Sequence, residues 1–553
     1  MIKQAARILI LISASSLAFA RQPKISTELE NLNPDTPVDV IVQFNAVPTE
    51  RHHQKVLSQG GVLRNRLELV QAGAYSIPAS SIWSLANDPE VVHISSDRKV
   101  QGMLDLTAAA VNANTAWVSG WTGKGIGVAV IDSGISNHPD LDSRIVYRQD
   151  FVGGGPNDFF GHGEHVAGII AGSGKSSSCP KCTRSLKGIA PDATLLDLRV
   201  LDQNGSGTDS NVIAAIQQAI SLKKKYNVRV INLSLGRPVY ESYTLDPLCQ
   251  AVEAAWKAGI VVVVAAGNSG RDNSQGTNGY ATIAAPGNDP YVITVGAMKA
   301  MGTAARSDDQ VASYSSKGPT LIDHVVKPDI VAPGNRMVSL LAASSRYTQS
   351  YPQNIVPWSY YETTAAPNSS NLYFNLSGTS MATPVVSGAV ADLLQAQAGL
   401  TPDQVKAKLM LTAYKAFPSS SQTVDPVTGA VYVSQYDIFT VGAGYLDIQA
   451  ALNDGSIATG TALSPTVSYD PTSGYVYLTT DPSAVWDTRA VWGTRAVWGA
   501  TAVDATRAVW GSAAVWGTSS LEGFRAVWGT RAVWGTSSTD ATELMSIAIN
   551  GEN

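Results

Sequence analysis

The strongest constraint on this chain is a set of short, unbroken apolar runs. Val261-Val262-Val263-Val264-Ala265-Ala266 carries no polar residue, and Gly127-Val128-Ala129-Val130-Ile131 is of the same kind. Runs of this length and composition read as buried strands. Further strands are expected over residues 195–200, 228–234 and 291–295. Helices are expected between them, over 210–224 with Asp209 as its cap and over 247–258. Thr401-Pro402-Asp403-Gln404 opens another helix, with proline in its first turn and glutamine completing a capping box. Strand and helix in alternation require a parallel sheet with covering helices. The expected fold class is therefore α/β, with helices on both faces of a parallel sheet.

In open sheets of this kind, ligands bind beyond the carboxyl ends of the strands. Asp132 ends the first run, and Asn268 follows the second. His162, flanked by Gly161 and Gly163, leads into a helix of small residues. Ser380 lies in Ser377-Gly378-Thr379-Ser380-Met381-Ala382-Thr383-Pro384, ahead of an apolar helix over 385–394. Pro384 belongs in a first helical turn, which starts that helix at or just before Ser380. A serine there is, taken alone, most simply a helix cap. Together with Asp132 and His162 it completes the orienter, base and nucleophile of a catalytic triad. Asn268 can donate a hydrogen bond to an oxyanion.

The four stretches, in the order Asp132, His162, Asn268, Ser380, resemble the subtilisin-like serine peptidases, or subtilases. The resemblance covers roughly residues 104 to 454. It includes the weaker matches Leu198-Arg199-Val200-Leu201-Asp202, Ile231-Asn232-Leu233-Ser234-Leu235-Gly236, Lys327-Pro328-Asp329-Ile330-Val331-Ala332-Pro333-Gly334 and Gly442-Ala443-Gly444-Tyr445-Leu446-Asp447. It implies a subtilisin-like fold and a secreted serine endopeptidase that needs no cofactor for catalysis. Gly205-Ser206-Gly207 and Ser234-Leu235-Gly236 resemble the two edges that clamp an extended peptide as an added strand. Ala265-Ala266-Gly267 and Gly279 resemble the walls and floor of the primary specificity pocket, here a roomy apolar slot. Glu164 departs from the family, standing where threonine is usual between His162 and His165. In contact with the imidazole, such a carboxylate raises its pKa and moves the pH optimum. Asp140 resembles one ligand of a structural calcium site, but the companion loop is replaced by residues 173–185. One carboxylate does not supply the six or more oxygens calcium takes, so no metal is expected there; calcium elsewhere is left open.

The chain opens with Lys3 and Arg7, an apolar run over 8–17 and Ala18-Phe19-Ala20. This is the pattern of a signal peptide over residues 1–20, and the run is too short for a stable membrane anchor. No later segment is long and apolar enough to span. The protein is expected to be secreted, or held at the cell surface. Residues 36–100 read as βαββαβ, a ferredoxin-like α+β sandwich. Placed between the signal and a subtilase unit, residues 21–103 resemble the family's inhibitory propeptide, with the junction near 97–105. The Cys179-Pro180-Lys181-Cys182 pair is half a zinc site at best, and a local disulfide fits an exported protein better. Cys249 reads as a buried core residue. With 39 basic and 44 acidic residues and no basic run, nothing points to nucleic acid.

After Asn453 the composition shifts to Ser, Thr, Gly and Pro, with one hairpin expected around Asp470-Pro471. A six-residue repeat, Arg-Ala-Val-Trp-Gly-Thr, then places Trp486, Trp492, Trp498, Trp510, Trp516, Trp528 and Trp534 on one register. A period of six keeps these rings on one side of an extended strand. The row either packs on the protein or serves as an adhesive strip for envelope, glycan or partner. The triad lies wholly before this tail, residues 455–553, which is expected to add nothing to hydrolysis. The long aromatic segment between Gly334 and Gly378 is expected either to rim the substrate site or to pack on itself. The rival to a peptidase is a non-catalytic surface adhesin on a subtilase fold, binding through the tail.

Overall fold

The computed structural model describes residues 24–25, 29, 32–34, 36–67, 71–96, 104–274, 276–363, 370–425, 429–470, 475–479 and 541–552. The signal-peptide reading, most of the expected junction and the tryptophan repeat lie outside the described residues. The chain divides into two compact units, residues 1–101 and 102–553.

The first unit runs β1 (Pro37–Phe44), α1 (Glu50–Leu57), β2 (Val62–Leu67), β3 (Ala72–Pro78), α2 (Ile82–Ala86) and β4 (Val91–Ser96). Its strands pair in the order β2-β3-β1-β4, and every neighbouring pair is antiparallel. Along β1 the buried residues alternate, with Val40, Val42 and Phe44 facing Val56, Ile82 and Leu85 of the helices in one core. That period of two is what a sheet with one covered face requires. The expected βαββαβ order is thus present element by element.

The second unit opens with α3 (Leu104–Ala110) and α4 (Ala113–Val118), then β5 (Gly127–Asp132), β6 (Ile145–Asp150), α5 (His162–Ala171), β7 (Thr194–Arg199), α6 (Asp209–Tyr226) and β8 (Val228–Leu233). It continues through α7 (Pro247–Lys257), β9 (Val261–Ala265), β10 (Ile293–Lys299), β11 (Gln310–Val311) and β12 (Ile330–Pro333). The sheet order is β11-β10-β9-β8-β5-β7-β6, with β12 also on β10. All pairs are parallel except β10 with the short β11. Every residue of β5 and β9 is buried, because helices cover both faces. Strand β5 lies inside the sheet between β8 and β7, so Asp132 emerges away from either edge.

The described residues between 335 and 377 carry regular structure. They form β13 (Met337–Leu340), α8 (Arg346–Ser350), β14 (Ile355–Val356) and β15 (Tyr373–Leu376), with the strands in one antiparallel sheet. Beyond it run α9 (Thr379–Ala396), α10 (Pro402–Thr412), a hairpin of β16 (Ser420–Val424) and β17 (Val431–Gln435), and α11 (Ile448–Asn453). The capping box at Thr401 and Gln404 is formed, whereas α6 is capped by Thr208, one residue before the expected Asp209. The hairpin expected around Asp470 is β18 (Thr466–Asp470) with β19 (Tyr475–Thr479). Helix α12 (Ala541–Asn550) belongs to this unit as well, so residues beyond Asn453 do not all form a separate tail. Cys179 and Cys182 are bridged, and Cys249 is buried. Among the described residues no helix is long and apolar enough to cross a membrane.

Candidate active site

Three elements deliver the candidate reactive side chains. Strand β5 ends on Asp132, which is 1% exposed. Helix α5 begins at His162, directly after Gly161, whose φ of 104° is left-handed and suits glycine. The start of α5 is pressed against the turn after β5. A Cβ on Gly163 would sit 2.3 Å from the Gly134 carbonyl oxygen, so only glycine fits there. Gly163 N–H donates to Ser133 Oγ at 2.9 Å, fastening the helix to that turn. This approach brings His162 Nδ1–H onto Asp132 Oδ1 at 2.7 Å. The donated Nδ1 proton leaves Nε2 as the basic nitrogen of the neutral ring.

A second carboxylate holds the same corner. Asp158 Oδ1 accepts from Ser133 Oγ at 2.9 Å and from the N–H groups of Phe160 and Gly161. Its Oδ2 accepts from Glu164 N–H at 2.8 Å. It thereby satisfies backbone donors at the start of α5 that the helix itself leaves unpaired. Burial pushes the Asp158 carboxyl up to about 6. For His162, burial alone lowers the pKa. The Asp132 charge and hydrogen bond, with the Asp158 charge, outweigh that and hold it above 6.5. Glu164 does not act on the imidazole as its position in the sequence implies. Its Oε2 accepts from Ser136 N–H, and burial, then the Asp158 charge, raise its pKa well above the carboxylate range. His165 is also apart from the chemistry. Its Nε2–H points to the carbonyls of Met337 and Phe374, at 2.9 and 3.1 Å, and burial pulls its pKa down to about 3.

Ser380 is the second residue of α9, and Pro384 lies inside that helix rather than in its first turn. Pro384 has no N–H, so the Ser380 carbonyl four residues earlier loses its helical donor. Ser234 Oγ supplies the missing bond at 2.8 Å. The serine at 234 therefore lets a proline sit one turn after the candidate nucleophile. Asn268 is oriented from the same turn. Thr379 N–H and Thr379 Oγ1–H both donate to its Oδ1, at 2.9 and 3.0 Å. With the oxygen so engaged, the Nδ2 donors are left for the cavity.

His162, Asn268 and Ser380 line one cavity of about 400 Å³. Gly205, Gly207, Ser234, Leu235 and Gly236 line it too, whereas Ser206, Ala265, Ala266, Gly267 and Gly279 do not. Gly267 lies just behind, next to Asn268, with Ala284 against both it and Gly236: added Cβ atoms would meet the Ala284 methyl at 3.3 and 3.0 Å. Gly279 instead abuts the Gly270 carbonyl, and the neighbouring Tyr280 hydroxyl donates to Asp437. Ala284, rather than Gly279, is the residue packed against Gly236 and Gly267. Ala284 carries no sequence signal, since it stands in none of the motifs above. Asp158 does carry one, as an acid four residues before His162 at a helix start. Tyr347 also lines the cavity, its ring 4.3 Å from that of Phe160, so the aromatic segment does rim the site.

Asp140 Oδ2 accepts from Tyr373 OH and its Oδ1 from Ser176 N–H, both at 2.7 Å. A carboxylate surrounded by donors does not present the oxygen set that calcium takes. Among the described residues, one group gathers three possible metal ligands, Cys179, Cys182 and Glu362, and the disulfide occupies two of them.

Comparison with known proteins places residues 123–437 in agreement with the model of the subtilase family. The chain is 38% identical over 354 residues to the serine protease AprX of Bacillus subtilis (strain 168), a span covering 62% of this chain and 74% of that protein. It is 32% identical over 382 residues to subtilisin E of the same organism, covering 67% and 82%. It is 30% identical over 402 residues to an alkaline protease of Shouchella clausii, covering 72% and 85%.

Proposed function

The chain belongs to the subtilase family and is a serine endopeptidase, and from that premise we propose that it cleaves polypeptides outside the cell through Asp132, His162 and Ser380. His162 Nε2 takes the proton of Ser380 Oγ as that oxygen attacks the peptide carbonyl. Asp132 holds the Nδ1–H and stabilises the imidazolium that forms. The oxyanion is met by Asn268 Nδ2–H and by the Ser380 N–H, which as a first-turn donor has no partner inside its own helix. His162 then protonates the leaving amine, and water attacks the acyl-enzyme by the same route. Gly205, Gly207 and the Ser234–Gly236 edge receive the substrate backbone, and Ala284 with Gly236 and Gly267 bounds the side-chain pocket. Residues 1–20 direct export, and residues 21–103 act as an intramolecular inhibitor removed on maturation.

The observation that carries this reading is the 2.7 Å bond from His162 Nδ1 to Asp132, in a cavity that His162 shares with Ser380 and Asn268. The test is labelling by a fluorophosphonate, which reacts with activated serines. The wild-type chain should take the label, and Ser380→Ala should neither label nor mature from its precursor when produced alone. Maturation of the Ser380→Ala chain by itself would refute the processing step, and an unlabelled, inactive wild type would refute the catalytic one.

A further inference from the structure

The C-terminal end of the chain is seated in the candidate active site. Leu544, Met545 and Ala548 of α12 line the same cavity as His162 and Ser380. Ile547 and Ile549, which flank that face on either side, are 3% and 7% exposed and belong to the main core of the unit. The helix is thus held along both flanks while the face between them meets the cleft.

A set of polar groups receives the segment residue by residue. Ser377 N–H donates to the Ala548 carbonyl at 2.8 Å. Asn354 Nδ2–H donates to the Ile549 carbonyl at 2.6 Å, and Arg336 Nε–H to the Asn550 carbonyl at 3.2 Å. Asn335 pairs with both backbone groups of Glu552, at 2.8 and 2.9 Å. The Glu552 side chain is buried and accepts from Arg271 Nη2–H at 2.7 Å, from Ser313 N–H at 3.1 Å and from Ser313 Oγ–H. Lys299 Nζ stands 4.0 Å away. Gly551 turns with a φ of +61°, and a Cβ there would fall 2.4 Å from Ser377 Oγ. A buried carboxylate so fully met is a built recognition site, since an unpaired one is strongly disfavoured in such a place.

Ser377 stands three residues before Ser380. It lines the cavity beside the nucleophile, and its N–H is already taken by the Ala548 carbonyl. We propose that residues 541–552 are an intramolecular inhibitor of the cleft, anchored by Glu552, and that polypeptide substrates compete with this segment for the Ser377 end of the cavity. This rests on the catalytic reading of Ser380 given above. A tethered segment acts at the high effective concentration of an intramolecular ligand, so weak intrinsic binding suffices to keep it seated. Cleavage anywhere between β19 and α12 would remove the tether and leave release to dilution.

The test uses the full chain with two independent changes at the anchor. Glu552→Lys sets a third cation beside Arg271 and Lys299, and Gly551→Val collides with Ser377. Both variants should raise kcat/KM on an unfolded protein substrate roughly tenfold, an ordinary intramolecular coupling. A synthetic peptide of residues 541–553 should then inhibit them competitively. Unchanged kcat/KM in both variants, or a loss of activity with a lowered melting temperature, would overturn the proposal, the second by making α12 a buttress. Anisotropy of the labelled peptide on the Glu552→Lys chain reads docking without turnover. Saturable binding displaced by the unfolded protein is expected, and binding that the protein does not displace would overturn it. Should no form of the enzyme hydrolyse or take a fluorophosphonate, the catalytic reading fails, while the anisotropy competition still decides whether the segment and a polypeptide share the site.

Discussion

At the scale of single residues, two groups have roles that can be measured apart. Asn268 has its Oδ1 tied down by Thr379, so its amide donors are aimed without cost at the moment charge develops. Asn268→Ala should lower kcat by about 10²–10³, the usual effect of losing one oxyanion donor, with little change in KM. A loss confined to KM would make Asn268 a wall of the pocket. His162 is expected to set the acid limb of the pH profile. Its folded pKa lies above 6.5 because Asp132 outweighs burial, and the ring is a base only when neutral. The kcat/KM should therefore climb with pH through a midpoint above that value. The stabilisation from protonated His162 has the opposite course, being full below the unfolded pKa and lost as pH rises through the folded one. Glu164 is buried, which raises its pKa well above its usual value, and it is bonded to Ser136 rather than to the ring. Glu164→Gln should leave that midpoint in place; a clear shift would show the carboxylate to be charged and coupled to His162.

At the scale of elements, the site is a meeting of helix starts with strand ends. Helix α5 reaches Asp132 only because Gly163 lets it lie on the Gly134 carbonyl. Gly163→Ala should push α5 outward and lengthen the His162–Asp132 bond. A displacement of about 1 Å is enough to cost 10²-fold in rate, so kcat should fall by roughly that factor, with a fall in melting temperature. Wild-type kinetics in this variant would mean that the helix start has slack the packing does not show. Helix α9 keeps its course past Pro384 because Ser234 takes over the bond to the Ser380 carbonyl. The proline is thereby compatible with a continuous helix, which sequence rules place at or before Ser380.

For the whole molecule, the tail divides into parts with different expected roles. Helix α12 and Glu552 belong to the second unit, whereas the seven tryptophans of the repeat are expected to add nothing to the chemistry. Fully exposed tryptophans are unfavourable in water by about 2–3 kcal/mol each, so a row of them should find a partner. Replacing residues 484–538 by a Gly/Ser linker of equal length keeps α12 in place and removes the row. Peptide hydrolysis should persist, and binding to cell envelopes or insoluble polysaccharide should be lost. Equal binding by the two forms would sink the adhesive strip.

The sequence by itself determined the sheet and singled out the candidate reactive groups. Apolar runs such as Val261–Ala265 can be satisfied only between two covering layers, and Asp132, His162, Asn268 and Ser380 lie in local patterns that short-range rules read directly. The first unit was legible at β1 through its own period of two, with Val40, Val42 and Phe44 turned inward. Contacts between residues distant in the chain were not legible. Asp158 as the brace of α5, Ala284 against Gly236 and Gly267, Glu164 turned from the imidazole, and Ser234 beneath Pro384 all depend on which surfaces meet. The seat of Glu552 on Arg271, Ser313 and Asn335 is the extreme case, since its partners lie more than two hundred residues away. Periodicity and propensity describe a segment against solvent or a generic core. They carry no information about which distant carboxylate a buried arginine will find, and only the folded packing decides that.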